Sequence, residues 1–284
     1  MKAYNRKRKK DAMERISKLP SPAFVGVVRE KTETSAIAEI KNAIYEGADM
    51  IDLHLSTLGD LSVTSLRRII ASSSVPILAL DYNASYSWEH LGLSEEERIG
   101  HLFAAIEAGA SAVDIQGYTF DARSRTGYFG DNSLSFASRF PMEVVTDRTI
   151  IDKQMALIDK IHQKGVEVLL SCHPKIALKA EEVLELALFL EERKPDIIKI
   201  VTSANREEDV LEGVRAAKLL REKLHTKFAY HLSGKEGSLS RILNPLFGSH
   251  LVFCVRRYNE GSTMEQPPLA LTKETFGNLL KIKG

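Results

Sequence analysis

Two residues of this chain have the types and the placement to do covalent chemistry together. Lys199 stands in "DIIKIVTS" (196–203), flanked by Ile198 and Ile200 in a run apolar enough to be buried. A buried ammonium is costly unless it is paired, neutral or chemically used. His173 closes "VEVLLSCH" (166–173), a strand-like run that Pro174 stops. An inward-facing, desolvated lysine is a nucleophilic amine whose characteristic reaction is imine formation with a carbonyl. The iminium withdraws electrons from the neighbouring carbon. An imidazole titrating near neutrality can take that carbon's proton and later return one to a leaving group. One lysine and one histidine thus suffice for a metal-free elimination or an aldol-type cleavage. Each also has a plainer reading. A histidine at a strand end is usually structural, and a lysine between isoleucines can face outward and snorkel past a covering helix.

The elements that must position them alternate along the chain. Runs rich in Val, Ile, Leu and Phe predict strands at 23–28, 50–55, 75–81, 112–117, 166–173, 196–203, 227–233 and 251–256. Between several of them the apolar residues recur every three or four positions, which predicts helices at 35–49, 94–110, 148–165, 180–196 and 205–223. Ser94 with Glu97 three residues on forms a capping box, and Gly109 marks the end of that helix. Strands that are apolar throughout and alternate with helices pair in parallel with both faces covered. Eight such units in 284 residues predict a single-domain (β/α)8 TIM barrel, and no glycine-rich phosphate loop follows a strand. The division expected is a basic N-terminal segment, 1–22, and a catalytic barrel, 23–284. Strand C-terminal ends line the site of such a barrel, so His173 and Lys199 come from consecutive strands. A long loop after strand 4, 118–147, carries six aromatic residues. Loops beyond about 12–15 residues are uncommon in compact domains, and this one reads equally as a lid or as an oligomer contact.

Composition excludes several classes. With 39 basic and 38 acidic side chains the net charge is +1, so no overall field favours nucleic acid or an anionic membrane. "KRKK" (7–10) reads as a solvated tail. Cys172 and Cys254 provide no metal or disulfide framework and read as small hydrophobes. Neither a signal peptide nor a membrane span is evident, which fits a reduced, cytoplasmic setting. Homodimerisation through helix faces is left open.

"SCH" ending one strand, "IKI" in the next, "SGKEGSLSRILNPLFGSHLVF" (233–253) and "GSTMEQ" (261–266) resemble the type I 3-dehydroquinate dehydratases. That likeness implies a (β/α)8 barrel, no metal or cofactor, and conversion of 3-dehydroquinate to 3-dehydroshikimate and water in the shikimate pathway to the aromatic amino acids. It makes Lys199 the Schiff-base lysine and His173 the general acid/base. It makes Arg241 the clamp for the substrate carboxylate, a role suited to a guanidinium fork. Ser262 and Gln266 become residues of the loop that closes over the substrate.

The departures are as informative. Where the family's second strand ends Glu-x-Arg, this chain has Asp52 and His54. Where the third ends on arginine followed by a loop glutamate, it has Tyr82 and Tyr86, with Asp81 beside the first. The last loop lacks Ala-Pro-Gly and sets Glu265 beside Gln266. These changes fall on the positions that meet the substrate's hydroxyls, while the imine machinery stays. Arg123, Arg125 and Arg148 are candidates to replace the missing cations. Three functions follow: the dehydratase itself, a diverged Schiff-base lyase or aldolase acting on another carboxylated keto compound, and a non-catalytic binding protein on the same barrel.

Overall fold

The computed structural model describes residues 15–82, 93–121, 143–259 and 262–283. Its eight strands are β1 (Ala23–Val28), β2 (Met50–His54), β3 (Ile77–Leu80), β4 (Ala112–Gln116), β5 (Glu167–Cys172), β6 (Ile197–Ser203), β7 (Lys227–Ser233) and β8 (Leu251–Cys254). They form one parallel sheet in the order β7-β6-β5-β4-β3-β2-β1-β8, a nearly closed (β/α)8 barrel. Around it lie α1 (Glu33–Tyr45), α2 (Val63–Ala71), α3 (Glu95–Ala108), α4 (Arg148–His162), α5 (Ala180–Glu191), α6 (Glu207–Lys223), α7 (Ser240–Leu246) and α8 (Leu269–Lys283). The strands agree with the apolar runs to within a few residues at their ends. The Ser94–Glu97 box caps α3, and Gly109 ends it in the left-handed region at φ 108°. α2, α7 and α8 lie beyond the helices predicted from periodicity.

Period-2 alternation sorts each strand into an outer face under the helices and an inner face along the barrel axis. At the N-terminal end the inner face is apolar: Val25, Met50, Leu78, Ala112, Leu169, Ile197, Ala229 and Leu251 pack with Ile16 and Leu19 beneath them. One step further along the strands the inward residues turn polar. Asp52, Asp114, Ser171, Lys199 and His231 follow on β2, β4, β5, β6 and β7. The apolar layer is thus a floor for a polar chamber at the C-terminal end.

The sheet ladder runs from β7 round to β8 but does not cross between them. Side chains of the connecting segment do that work. Ser249 Oγ accepts from Tyr230 N at 2.9 Å, Asn244 Nδ2 donates to Tyr230 O at 3.0 Å, and Ser240 Oγ accepts from Leu232 N at 2.8 Å. His250 N donates to Phe228 O at 2.7 Å. Much of "GSLSRILNPLFGSH" therefore satisfies β7's edge, and Arg241 is carried next to Ser240 by that task.

Among the described residues no helix is long and apolar enough to cross a membrane. Both cysteines are buried thiols outside any disulfide. The "KRKK" run and residues 122–142 of the long loop lie outside the described residues.

Candidate active site

Lys199 and Ser171 are ladder partners, so His173, two residues beyond Ser171, faces the same interior as Lys199. Both line a cavity of about 550 Å³ at the barrel's C-terminal end, together with Asp52, His54, Tyr82, Arg241 and Gln266. Seven of the eight residues that the sequence singled out therefore meet in one chamber. The eighth, Ser262, does not line it. Its hydroxyl donates to Asn259 Oδ1 at 2.7 Å and accepts from Asn259 N at 2.9 Å, turned into a small neighbouring cleft. Thr263 takes the place on the cavity wall. Glu265 Oε1 accepts from Gly234 N at 2.9 Å and pins this loop to the end of β7.

The surroundings of Lys199 differ from the aliphatic enclosure that its sequence neighbours suggested. Ile198 and Ile200 belong to the outer face and the hydrophobic core. The Nζ meets polar and aromatic groups instead. It donates to the Tyr82 hydroxyl at 3.1 Å, lies 3.7 Å from Asp114 Oδ2, and sits 4.5 Å from the centre of the Phe253 ring. The buried charge is thus compensated by a carboxylate, a hydroxyl and a π face. Tyr82 donates in turn to Asp114 Oδ2 at 3.0 Å. The other carboxylate oxygen, Oδ1, accepts from Ser171 Oγ at 2.6 Å and from Gln116 Nε2 at 3.2 Å. Burial raises the Asp114 carboxyl above its usual range against the opposing pull of Lys199. Burial also pushes the Tyr82 phenol well above 10, with the Asp114 charge adding to it. Behind Gln116 stands a fully buried Arg98, which donates to Gln116 Oε1, to Asp81 O at 3.0 Å and to Thr119 Oγ1 at 2.9 Å.

His173 is held equally firmly. Glu143 Oε2 accepts from His173 N at 2.9 Å and from Nδ1–H at 2.8 Å. A carboxylate accepting from Nδ1–H fixes the tautomer and puts the ring's acceptor lone pair on Nε2. Glu143 holds this position at φ 62°, in the left-handed region. The approach depends on Gly117 just beyond β4: a Cβ there would collide with the Glu143 carbonyl oxygen. Gln154, buried on α4, ties the segment down by donating to Gly117 O at 3.0 Å and Thr119 O at 2.8 Å.

The far side of the chamber is organised differently. His54 Nε2 lies 3.4 Å from Asp52 Oδ2, and burial lowers the His54 pKa. Asp52 Oδ1, Arg241 Nε and both nitrogens of His231 are buried with no hydrogen-bond partner among the described residues. Burial pushes Arg241 down to about 10 and His231 well below 6.5, the latter reinforced by the Arg241, Lys199 and His173 charges. Two cations line the cavity that the sequence reading passed over, Arg29 beyond β1 and Lys175 beyond β5. They stand where a strand-end scan for basic residues would have found them. Arg148 is not among them: it is exposed on α4 and pairs with Asp152 at 3.1 Å. Asp81 is buried against His101 Nδ1 at 2.6 Å, outside the chamber. Tyr86, Arg123 and Arg125 lie outside the described residues. Among those described, no group of three or more His, Cys, Asp and Glu could hold a metal ion.

The chain resembles two curated 3-dehydroquinate dehydratases in part of its length. It is 33% identical to that of Klebsiella pneumoniae (strain 342) over 100 residues, 34% of this chain and 40% of the relative. It is 29% identical to that of Alkaliphilus oremlandii over 108 residues, 37% of this chain and 42% of the relative. The matches thus span about two-fifths of those relatives' length. The fold is shared more widely. The 3-dehydroquinate dehydratase of Geobacillus kaustophilus superposes with a TM-score of 0.72 at 16% identity, over 94% of this chain and 96% of that one. The type I enzyme of Clostridium difficile gives 0.71 at 16% identity, over 93% and 94%. The family model for type I 3-dehydroquinase matches residues 133–276, just over half of the sequence, and the chain belongs to that family.

Proposed function

We propose that the chain is a 3-dehydroquinate dehydratase that works through an imine on Lys199, as a hydro-lyase of the shikimate pathway. The observation that carries this is the convergence of three groups on one cavity: the Lys199 amine, the carboxylate-held His173 imidazole and the buried Arg241 guanidinium. In this reading Arg241 binds the substrate carboxylate and fixes the ring. The Lys199 amine adds to the C3 ketone and water leaves, giving the iminium. His173 Nε2 takes a proton from C2, whose electrons flow into the iminium. The enamine then expels the C1 hydroxyl, which receives the proton back from His173. Hydrolysis of the conjugated imine releases 3-dehydroshikimate and the free lysine. Gln266, Asp52 and His54 meet the ring hydroxyls.

A second reading has its own support. Tyr82 and His54 occupy the wall where the family pattern has arginines, and Tyr82 is bonded to Lys199. A site rebuilt there fits a different carboxylated keto compound processed by the same imine chemistry.

The test is direct. Offered 3-dehydroquinate, the protein should produce the ultraviolet absorbance of a conjugated enone. Borohydride added during turnover should leave a reduced adduct on Lys199, and Lys199→Ala should give neither signal. His173→Ala should still yield the adduct but little enone. Adducts with other keto acids and no enone from 3-dehydroquinate would establish the second reading. Absence of any adduct across keto acids would make the barrel a binding protein.

A further inference from the structure

We infer that Tyr82 is a catalytic residue, which with Asp114 carries the protons of imine formation and leaves His173 to the carbon chemistry. The inference rests on the imine reading above.

Three groups form an unbroken line. The Lys199 ammonium donates to the Tyr82 oxygen at 3.1 Å, and the Tyr82 hydroxyl donates to Asp114 Oδ2 at 3.0 Å. Every member is buried, and Asp114 is wholly so. The far oxygen of Asp114 is fixed by Ser171 and Gln116, so Oδ2 is the one oriented toward the tyrosine. The ring of Tyr82 also lies edge-on to His173, centroids 5.7 Å apart. The phenol therefore touches both the amine that must lose a proton and the imidazole whose Nε2 must be open to the C2 proton.

The proton count closes along this line. At rest the pair is an ammonium and a carboxylate. As a ketone approaches, one Lys199 proton passes to the Tyr82 oxygen while the Tyr82 proton passes to Asp114 Oδ2. The result is a neutral amine and a neutral carboxylic acid, with no change of net charge in the chamber. Nitrogen attacks the carbonyl carbon, and the carbonyl oxygen takes a proton released by the nitrogen, giving a carbinolamine. Asp114 then returns its proton through Tyr82 to the carbinolamine hydroxyl, which leaves as water. The iminium and the carboxylate remain. Tyr82 never becomes a phenolate: it receives one proton as it gives up another, which a strongly raised phenol pKa favours. Reversing the sequence hydrolyses the product imine. His173 Nε2 is spared for the C2 proton and the leaving hydroxyl.

The experiment separates imine formation from elimination. Wild-type protein, Tyr82→Phe, Asp114→Asn and His173→Ala are mixed with 3-dehydroquinate, quenched into borohydride at intervals, and the Lys199 adduct is counted by mass. A second series uses 3-oxocyclohexane-1-carboxylate, which has the ketone and carboxylate but nothing to eliminate. Loss of general acid–base help slows the adduct about 100-fold in Tyr82→Phe and in Asp114→Asn with either ketone. In His173→Ala the adduct forms at close to the wild-type rate. The concentration giving half-maximal trapping rate stays near the wild-type value in Tyr82→Phe, whereas a merely structural tyrosine would move it. In D2O the wild-type trapping rate falls, and Tyr82→Phe loses that sensitivity. Wild-type trapping rates in both Tyr82→Phe and Asp114→Asn, or a slowed adduct in His173→Ala alone, would overturn the relay. No wild-type adduct with either ketone is a different failure, that of the imine reading itself.

Discussion

The two halves of the chamber differ in how their polar atoms are satisfied. On the β4–β6 side the groups nearest the amine are joined in one chain of partners: Lys199 with Tyr82, Tyr82 with Asp114, Asp114 with Ser171 and His173 with Glu143. Glu143 Oε1 alone of their polar atoms is buried without a hydrogen-bond partner among the described residues. On the β2 and β7–β8 side Asp52 Oδ1, Arg241 Nε and the His231 nitrogens are buried with no hydrogen-bond partner among the described residues. A buried polar atom left unpaired costs about 1–3 kcal/mol. In the proposed function such atoms are where a ligand completes the structure: the side that reacts is assembled in advance, and the side that recognises is finished by what binds.

Three measurements break or sharpen this contrast. The largest effect belongs to Arg241. Arg241→Met should raise KM by about 30- to 150-fold, the equivalent of roughly 2–3 kcal/mol for a charged hydrogen-bonded contact. The ligand-free protein should melt no lower than the parent, because a guanidinium with an unpaired Nε adds little to the empty fold. A lower melting temperature with unchanged KM would assign Arg241 to the scaffold and erase the distinction. Next comes the prearranged side. Gly117→Ala drives a methyl into the Glu143 carbonyl and should displace the carboxylate that holds His173. An expected fall of about 100-fold in kcat, with KM little changed, follows from a small misplacement of the base. Equal losses in both constants would mean that the substrate wall had moved as well.

The smallest effect is on stability. His231 is buried, neutral and depressed well below 6.5, whereas in the unfolded chain it titrates near 6.5. Its contribution is complete above 6.5 and is lost as pH falls below that value, because the unfolded state then binds the proton more readily. His231→Leu should flatten the acid side of the stability profile by up to about 1.4 kcal/mol per pH unit. Denaturant unfolding between pH 6.5 and 5 measures it, and parallel curves for parent and variant would show His231 to be protonated in place.

What the sequence made legible follows from periodicity. The order of the apolar runs put Lys199 and His173 on consecutive strands, and eight such runs implied the barrel; their shared face comes from the register that sets Lys199 beside Ser171. Other features have no periodic signature. Glu143, near the end of the long loop, reaches His173 from thirty positions earlier with the whole of α4 between them, so nothing local joins the two. Asp114 is a single carboxylate within "AVDIQ" and acquires meaning only from the strands beside it. Tyr82 read as part of the substrate wall, yet its hydroxyl lies on the lysine, because a phenol is long enough to cross from β3 to β6. Ser262 and Thr263 differ by one position in a loop, where no alternation tells inward from outward. α7 was hidden by its length of seven residues and by Pro245 within it.

The ladder register joins Ala23 with Leu251 and Val25 with Phe253, so the last strand leans on the first. Phe253 is also the aromatic lid over the amine. The chamber is therefore assembled from the first and the last of the barrel strands, and ordering it requires closing a loop that contains all the others. No amino-terminal or carboxy-terminal half can hold this lysine in working surroundings. Two halves made separately by a cut between β4 and β5 should regain chemistry only when they meet and zip along two edges, β8 on β1 and β5 on β4.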